Sequence, residues 1–82
     1  MLKLPVVSSK TLVKLLNNLG YEVTRQKGSH IRLKKTSEKG THSITVPNHS
    51  ELAKGTLNDI LTKISIWNNI PKDDLIIMIE NI

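Results

Sequence analysis

Two alternating runs hinged on one glycine restrict this chain more than any other feature. Tyr21-Glu22-Val23-Thr24-Arg25 alternates and is rich in strand formers, and His30-Ile31-Arg32-Leu33-Lys34 alternates again. Between them Lys27-Gly28 supplies turn chemistry, because glycine takes positive φ at no steric cost. The pattern predicts an antiparallel hairpin, with Ile31 and Leu33 on one face and His30, Arg32 and Lys34 on the other. A two-stranded hairpin is barely stable in water, so the flanking chain must complete and cover the sheet.

The flanks have the right periods. Leu12, Leu15, Leu16 and Leu19 recur at helical spacing behind Ser8 and Ser9, which are N-cap candidates, and Gly20 is placed to end the helix. This predicts a first helix over about 9–19. A polar loop over 36–41 precedes a third strand over 42–46, in which Ile44 and Val46 turn inward. After Pro47-Asn48-His49-Ser50, residues 51–55 read as a linker and Thr56 as a cap. The second helix then carries the stripe Leu57, Ile60, Leu61 and Ile64. Asn68-Asn69 interrupts it. Pro71, with Asp73 and Asp74 in the first turn, opens a last helix to about Asn81. Trp67 reads as a packing plug between the last two helices.

The expected architecture is α+β, in the order α-β-β-β-α with an extra C-terminal helix. It has a three-stranded antiparallel sheet with the helices on one face, as in a double-stranded-RNA-binding domain. The 82 residues are the length of a single domain, 1–82, with a core over 8–66 and a C-terminal helix over 70–82. That last helix is apolar nearly all round, through Leu75, Ile76, Ile77, Met78, Ile79 and Ile82. So small a domain cannot easily bury it all, so part of it is expected to meet a partner, either a second copy or another protein.

Charge narrows the function. The net charge is +5, but residues 1–54 hold ten Lys/Arg against three acids, while residues 55–82 hold two against four. Six of the twelve cations fall between 25 and 39, with Glu38 alone opposing them. Such a cluster is a footprint for phosphate. Tyr21 and Trp67 are the only aromatics, too few for a base-stacking platform, so contact with a nucleic acid should be to its backbone. The second helix is poor in Lys/Arg, unlike a recognition helix that reads DNA. With no cysteine there is neither a disulfide nor a thiolate metal site, which fits the cytoplasm. The longest apolar run, Leu75 to Ile79, is far short of a membrane span, and Pro5 and polar neighbours interrupt any signal-peptide core near the start.

Ser8-Ser9-Lys10, Leu15-Leu16, Gly20-Tyr21, Arg25-Gln26-Lys27-Gly28-Ser29-His30, Val46-Pro47-Asn48-His49 and Leu52-Ala53-Lys54-Gly55-Thr56-Leu57 with Ile60-Leu61 form an ordered set over about 8–66. In order and spacing this set resembles the HicA toxins. The Gly-Ser-His turn and the Lys-Gly-Thr-Leu helix start are specific as a pair. The resemblance implies a small mRNA interferase neutralised by a HicB-type antitoxin, with His30, the histidine of the Gly-Ser-His turn, as the catalytic residue. The asparagine after Pro47, the stretch from Lys35 to His42 and the tail after Ile66 depart from the family's common pattern.

The residue types suit that chemistry. RNA carries its own nucleophile, the 2′-hydroxyl, and cleavage needs one proton removed there and one delivered to the leaving 5′-oxygen. Histidine titrates near neutrality and does either. Lys27, Arg32 and the amides of Gly28 and Ser29 are the expected donors to the phosphoryl oxygens. Lys34 extends the cationic face, and Lys54, at a helix start, is a further phosphate contact. One histidine cannot be base and acid at once, and Ser29, His49, a lysine or water remain as the second group. His42 shares parity with inward Ile44, and His49 lies in the loop after the sheet. Arg25 shares the parity of Tyr21 and Val23, and so reads as ending its strand rather than facing RNA. Glu22, Glu38 and Glu51 are scattered, so no metal site and no cofactor is expected. The rival reading is a non-catalytic RNA-binding module of the same fold, in which His30 is merely a hydrogen-bond donor.

Overall fold

The computed structural model describes residues 2–82. Met1, counted in the expected 1–82 domain, lies outside them. The elements run α1 (Ser9–Asn18), β1 (Glu22–Lys27), β2 (His30–Ser37), β3 (Gly40–Pro47), α2 (Lys54–Asn68) and α3 (Lys72–Glu80). The strands form one antiparallel sheet in the order β1-β2-β3, so β2 is central. This is the expected α+β arrangement.

Each helix is built by its stripe. Ser8 caps α1, its Oγ accepting from the Thr11 amide at 3.2 Å. Gly20 follows the helix at φ +98°, where a side chain would be strained. Leu12, Leu15 and Leu16 are buried, as are Leu57, Ile60, Leu61 and Ile64 of α2. They join Tyr21, Ile31, Leu33, Ile44 and Val46 from the sheet in one core. Both helices pack against β3, and α3 packs across α1 and α2. All these contacts lie on one face of the sheet, which leaves the other face to solvent.

The structure corrects several local expectations. Thr56 does not cap α2. The helix starts three residues earlier than such a cap implies, at Lys54, with Ala53 at the N-cap position and no side-chain cap bond. The polar stretch over 36–41 is not a loop but the far ends of β2 and β3, paired to Ser37 opposite Gly40 and joined by a tight turn at Glu38-Lys39. Gly40, at φ +124°, lets the pairing run that far. Lys27 belongs to β1, and the first turn is Gly28-Ser29. Trp67 is not a plug between α2 and α3. It stacks on His42 of β3, ring centroids 5.0 Å apart and planes 8° apart. The last helix buries Leu75, Ile76 and Ile79, while Ile77, Met78 and Ile82 stay exposed. Among the described residues no helix is long and apolar enough to cross a membrane.

Candidate functional site

The solvent face of the sheet carries the candidate site. Lys27 pairs with His30 across the Gly28-Ser29 turn, and beyond Gln26–Ile31 the next pair on the same face is Arg25 with Arg32. On the other side of β2, His30 faces Pro47 and Arg32 faces Thr45. Gly28 sits at φ +57°, as the first central residue of a two-residue hairpin turn of the II′ kind requires. The turn thus delivers His30 as the first residue of the central strand.

Arg25, Lys27, Gly28, Ser29, His30, Arg32 and Thr45 line an open groove of about 600 Å³. Lys27, Gly28, Ser29, His30 and Arg32 were expected here. Lys34 lies further along the same face, opposite Glu22 and Ser43, and does not line the groove. Lys54 also lies outside it, at the start of α2. His49 borders a different depression with Pro47, Glu51, Leu52, Ala53 and Thr56. Of the candidates for a second proton-transfer group, Ser29 and Lys27 therefore share the groove with His30, and His49 does not. Among the described residues no three His, Asp or Glu side chains gather where they could hold a metal ion.

Arg25 is the residue misassigned by counting. Val23 pairs with inward Leu33, yet Arg25 pairs with outward Arg32, because the register shifts between them and Thr24 is left over as a bulge. The alternation counted from Tyr21 and the alternation counted back from the turn disagree by one residue, and the bulge absorbs the difference. Thr24 Oγ1 donates to the Arg32 carbonyl at 3.3 Å across it. Thr45 was missed because its place opposite Arg32 is visible only once β3 has a register.

The turn is braced from behind. The Asn48 amide donates to the Ser29 carbonyl at 2.7 Å. The loop holding Asn48 is clamped by Ser9, which is 2% exposed. Ser9 Oγ lies 2.5 Å from the Pro47 carbonyl oxygen and 2.7 Å from that of His49, and it accepts from the His49 amide at 2.5 Å. The Ser9 amide donates to the His49 carbonyl at 3.0 Å. Three stretches distant in sequence (Ser8-Ser9-Lys10, Gly28-Ser29-His30 and Pro47-Asn48-His49) thus meet behind one histidine.

A comparable groove of about 590 Å³ lies elsewhere, between α1 and α3, and is lined by Lys14, Leu15, Leu19, Ile77, Met78 and Ile82 among others. Size does not separate the two. Chemistry does, because only the groove on the sheet joins a histidine to several cations.

A family model described as the HicA toxin of bacterial toxin-antitoxin matches residues 9–66, which include every residue of the sheet and of the brace behind His30. Comparisons with curated proteins and with solved structures found no match. The match covers well over half of the chain and ends in the last turn of α2, so the chain belongs to the HicA toxin family, the toxin side of bacterial toxin–antitoxin systems.

Proposed function

We propose that this toxin is a metal-independent endoribonuclease that cleaves mRNA through His30. The observation carrying the reading is an exposed histidine at a braced turn, on a face whose groove holds Arg25, Lys27 and Arg32 and no acidic side chain. In this reading His30 moves the proton between the ribose 2′-hydroxyl and solvent or the leaving oxygen. Lys27, Arg32 and the Gly28 and Ser29 amides receive the charge that builds on the phosphoryl oxygens. Lys34 and Lys54 contact flanking phosphates, and the toxin acts in the cytoplasm. A HicB-type antitoxin neutralises it by laying an acidic segment into the cationic groove. The largely apolar surface of Ile77, Met78 and Ile82, with Lys14, Asn17, Asn18 and Asn81 around it, is left for a second copy of the chain.

The test compares wild type with His30→Ala on a single-stranded RNA in EDTA, and their effect on growth when induced. The reading requires that wild type cuts and arrests growth, that folded His30→Ala does neither, and that the products end in a 2′,3′-cyclic phosphate or the 3′-phosphate it hydrolyses to. If both proteins bind RNA equally and neither cuts it, the protein is a binding module. Light scattering of wild type and Ile77→Asp reads the self-association.

A further inference from the structure

Arg25 and Arg32 stand directly opposite each other on neighbouring strands. Like charges in that position repel. No acid offsets them: among the described residues the one ion pair is Lys63 with Asp59, at 3.1 Å on α2. Both side chains are exposed and both line the groove of His30. The sheet accepts a bulge at Thr24 that keeps Tyr21 and Val23 facing inward while Arg25 faces out. Bulges beside functional sites commonly re-aim one side chain in this way. The Arg25–Arg32 pair is one step from the Lys27–His30 pair on the same face, about 6.6 Å along the strand. An anion held between the guanidinium groups therefore lies within reach of the imidazole.

Resting on the ribonuclease reading above, we infer that Arg25 is a catalytic residue, which with Arg32 forms a two-guanidinium clamp on the non-bridging oxygens of the phosphate being cut. In that step the 2′-oxygen bonds to phosphorus as its proton departs, the bond from phosphorus to the 5′-oxygen breaks, and the 5′-oxygen takes up a proton. The phosphodiester carries one negative charge before and after, and close to two in between. The clamp meets that added charge. Guanidinium groups suit it because their planar forks bond two oxygens at once and stay charged. Thr45, on the other side of Arg32, extends the same row with a hydroxyl.

The experiment measures single-turnover cleavage of one RNA by wild type, Arg25→Ala, Arg25→Lys and the distant control Lys63→Ala. Affinity for the same sequence carrying 2′-O-methyl groups, which cannot be cut, is measured in parallel. Arg25→Ala is expected to slow cleavage about 100-fold, as for loss of one donor to a developing oxyanion. Its affinity for the inert RNA should fall only as the loss of one phosphate contact does, with the salt slope shallower by about 0.7. Arg25→Lys should recover only part of the rate, and Lys63→Ala should match wild type. A phosphorothioate at the cleaved position adds a readout that a merely structural role would not move: sulfur should slow wild type for one diastereomer, and Arg25→Ala should lose that discrimination. If Arg25→Ala cuts at the wild-type rate, or its deficit equals its loss of affinity, Arg25 is a surface contact and the inference falls while the role of His30 stands. If wild type does not cut at all, both readings fall, because the clamp has no reaction to serve.

Discussion

The two ends of the sheet place a histidine in opposite circumstances. His42, on β3 near the Glu38-Lys39 turn, has its surroundings used up. The Tyr21 hydroxyl accepts from Asn68 Nδ2 at 3.0 Å, which leaves its own proton for His42 Nδ1, 2.5 Å away. Asn68 in turn accepts from Lys35 Nζ at 2.7 Å. Trp67 covers the His42 ring, and Lys39 Nζ lies 4.4 Å from the indole centroid. Burial and the nearby Lys39, Lys35 and Lys63 push the His42 pKa below its ordinary value, while burial raises that of Tyr21. His30 is the reverse case. It is exposed, and among the described residues its side chain makes no hydrogen bond, yet its backbone is held by the turn and by the brace from Ser9. A histidine whose hydrogen bonds and stacking are all internal serves the fold. One that is rigidly based but chemically unengaged is available to a ligand.

Substitutions at the two ends should separate accordingly. The largest effect is on activity: His30→Ala should lower RNA cleavage by about 10²–10⁴-fold, the usual contribution of a general acid or base. Its stability should stay within about 0.5 kcal/mol of wild type, as for an exposed position. A melting curve showing His30→Ala grossly destabilised would erase the contrast.

Next comes the brace. Ser9→Ala removes the one side chain that ties the Pro47 and His49 carbonyls and the His49 amide to α1, losing a donated and an accepted bond, and should cost about 1–3 kcal/mol in urea unfolding. Because Ser9 supports the loop that bonds the Ser29 carbonyl, cleavage by the folded fraction should slow as well. An unchanged rate would show that the turn holds itself.

Tyr21→Phe belongs wholly to the other end. It keeps the ring and removes the hydroxyl between His42 and Asn68, so about 1 kcal/mol of stability should be lost with the cleavage rate intact. A rate change would mean that the two ends are coupled through the strands.

The smallest effect is a pH dependence. The folded state depresses the His42 pKa below 6.5, so the unfolded chain binds the proton more readily. The contribution is fully present above about pH 6.5 and is lost as pH falls from there through the lower, folded value. In thermal melts, His42→Asn should flatten that acid-side decline, while His30→Ala should leave it in place.

Much of this was legible in the order of residues. The apolar stripes named the buried faces of α1 and α2, and Gly28 marked the turn that brings His30 to the start of its strand, although the turn was read one residue early, as Lys27-Gly28. Even the inward parity of His42 could be counted from Ile44. Periodicity gives these features because burial of one face is a local demand, written at a spacing of two in strands and 3.6 in helices. What counting could not supply came from partners. The length of the β2–β3 pairing depended on strand bonds that continue through polar residues as readily as apolar ones, so Thr36 to Thr41 read as a loop. Trp67 found His42 rather than α3 because stacking is decided by which element lies across from it. The brace of Ser9 to Pro47 and His49 joins residues about forty positions apart. Arg25 is the clearest case. Its own strand offered two incompatible parities, and only pairing with β2, with Thr24 pushed out as a bulge, determined that its guanidinium shares a face with His30. Where a bulge intervenes, a side chain's face is a property of the pair of strands, and the bulged strand alone does not carry that information.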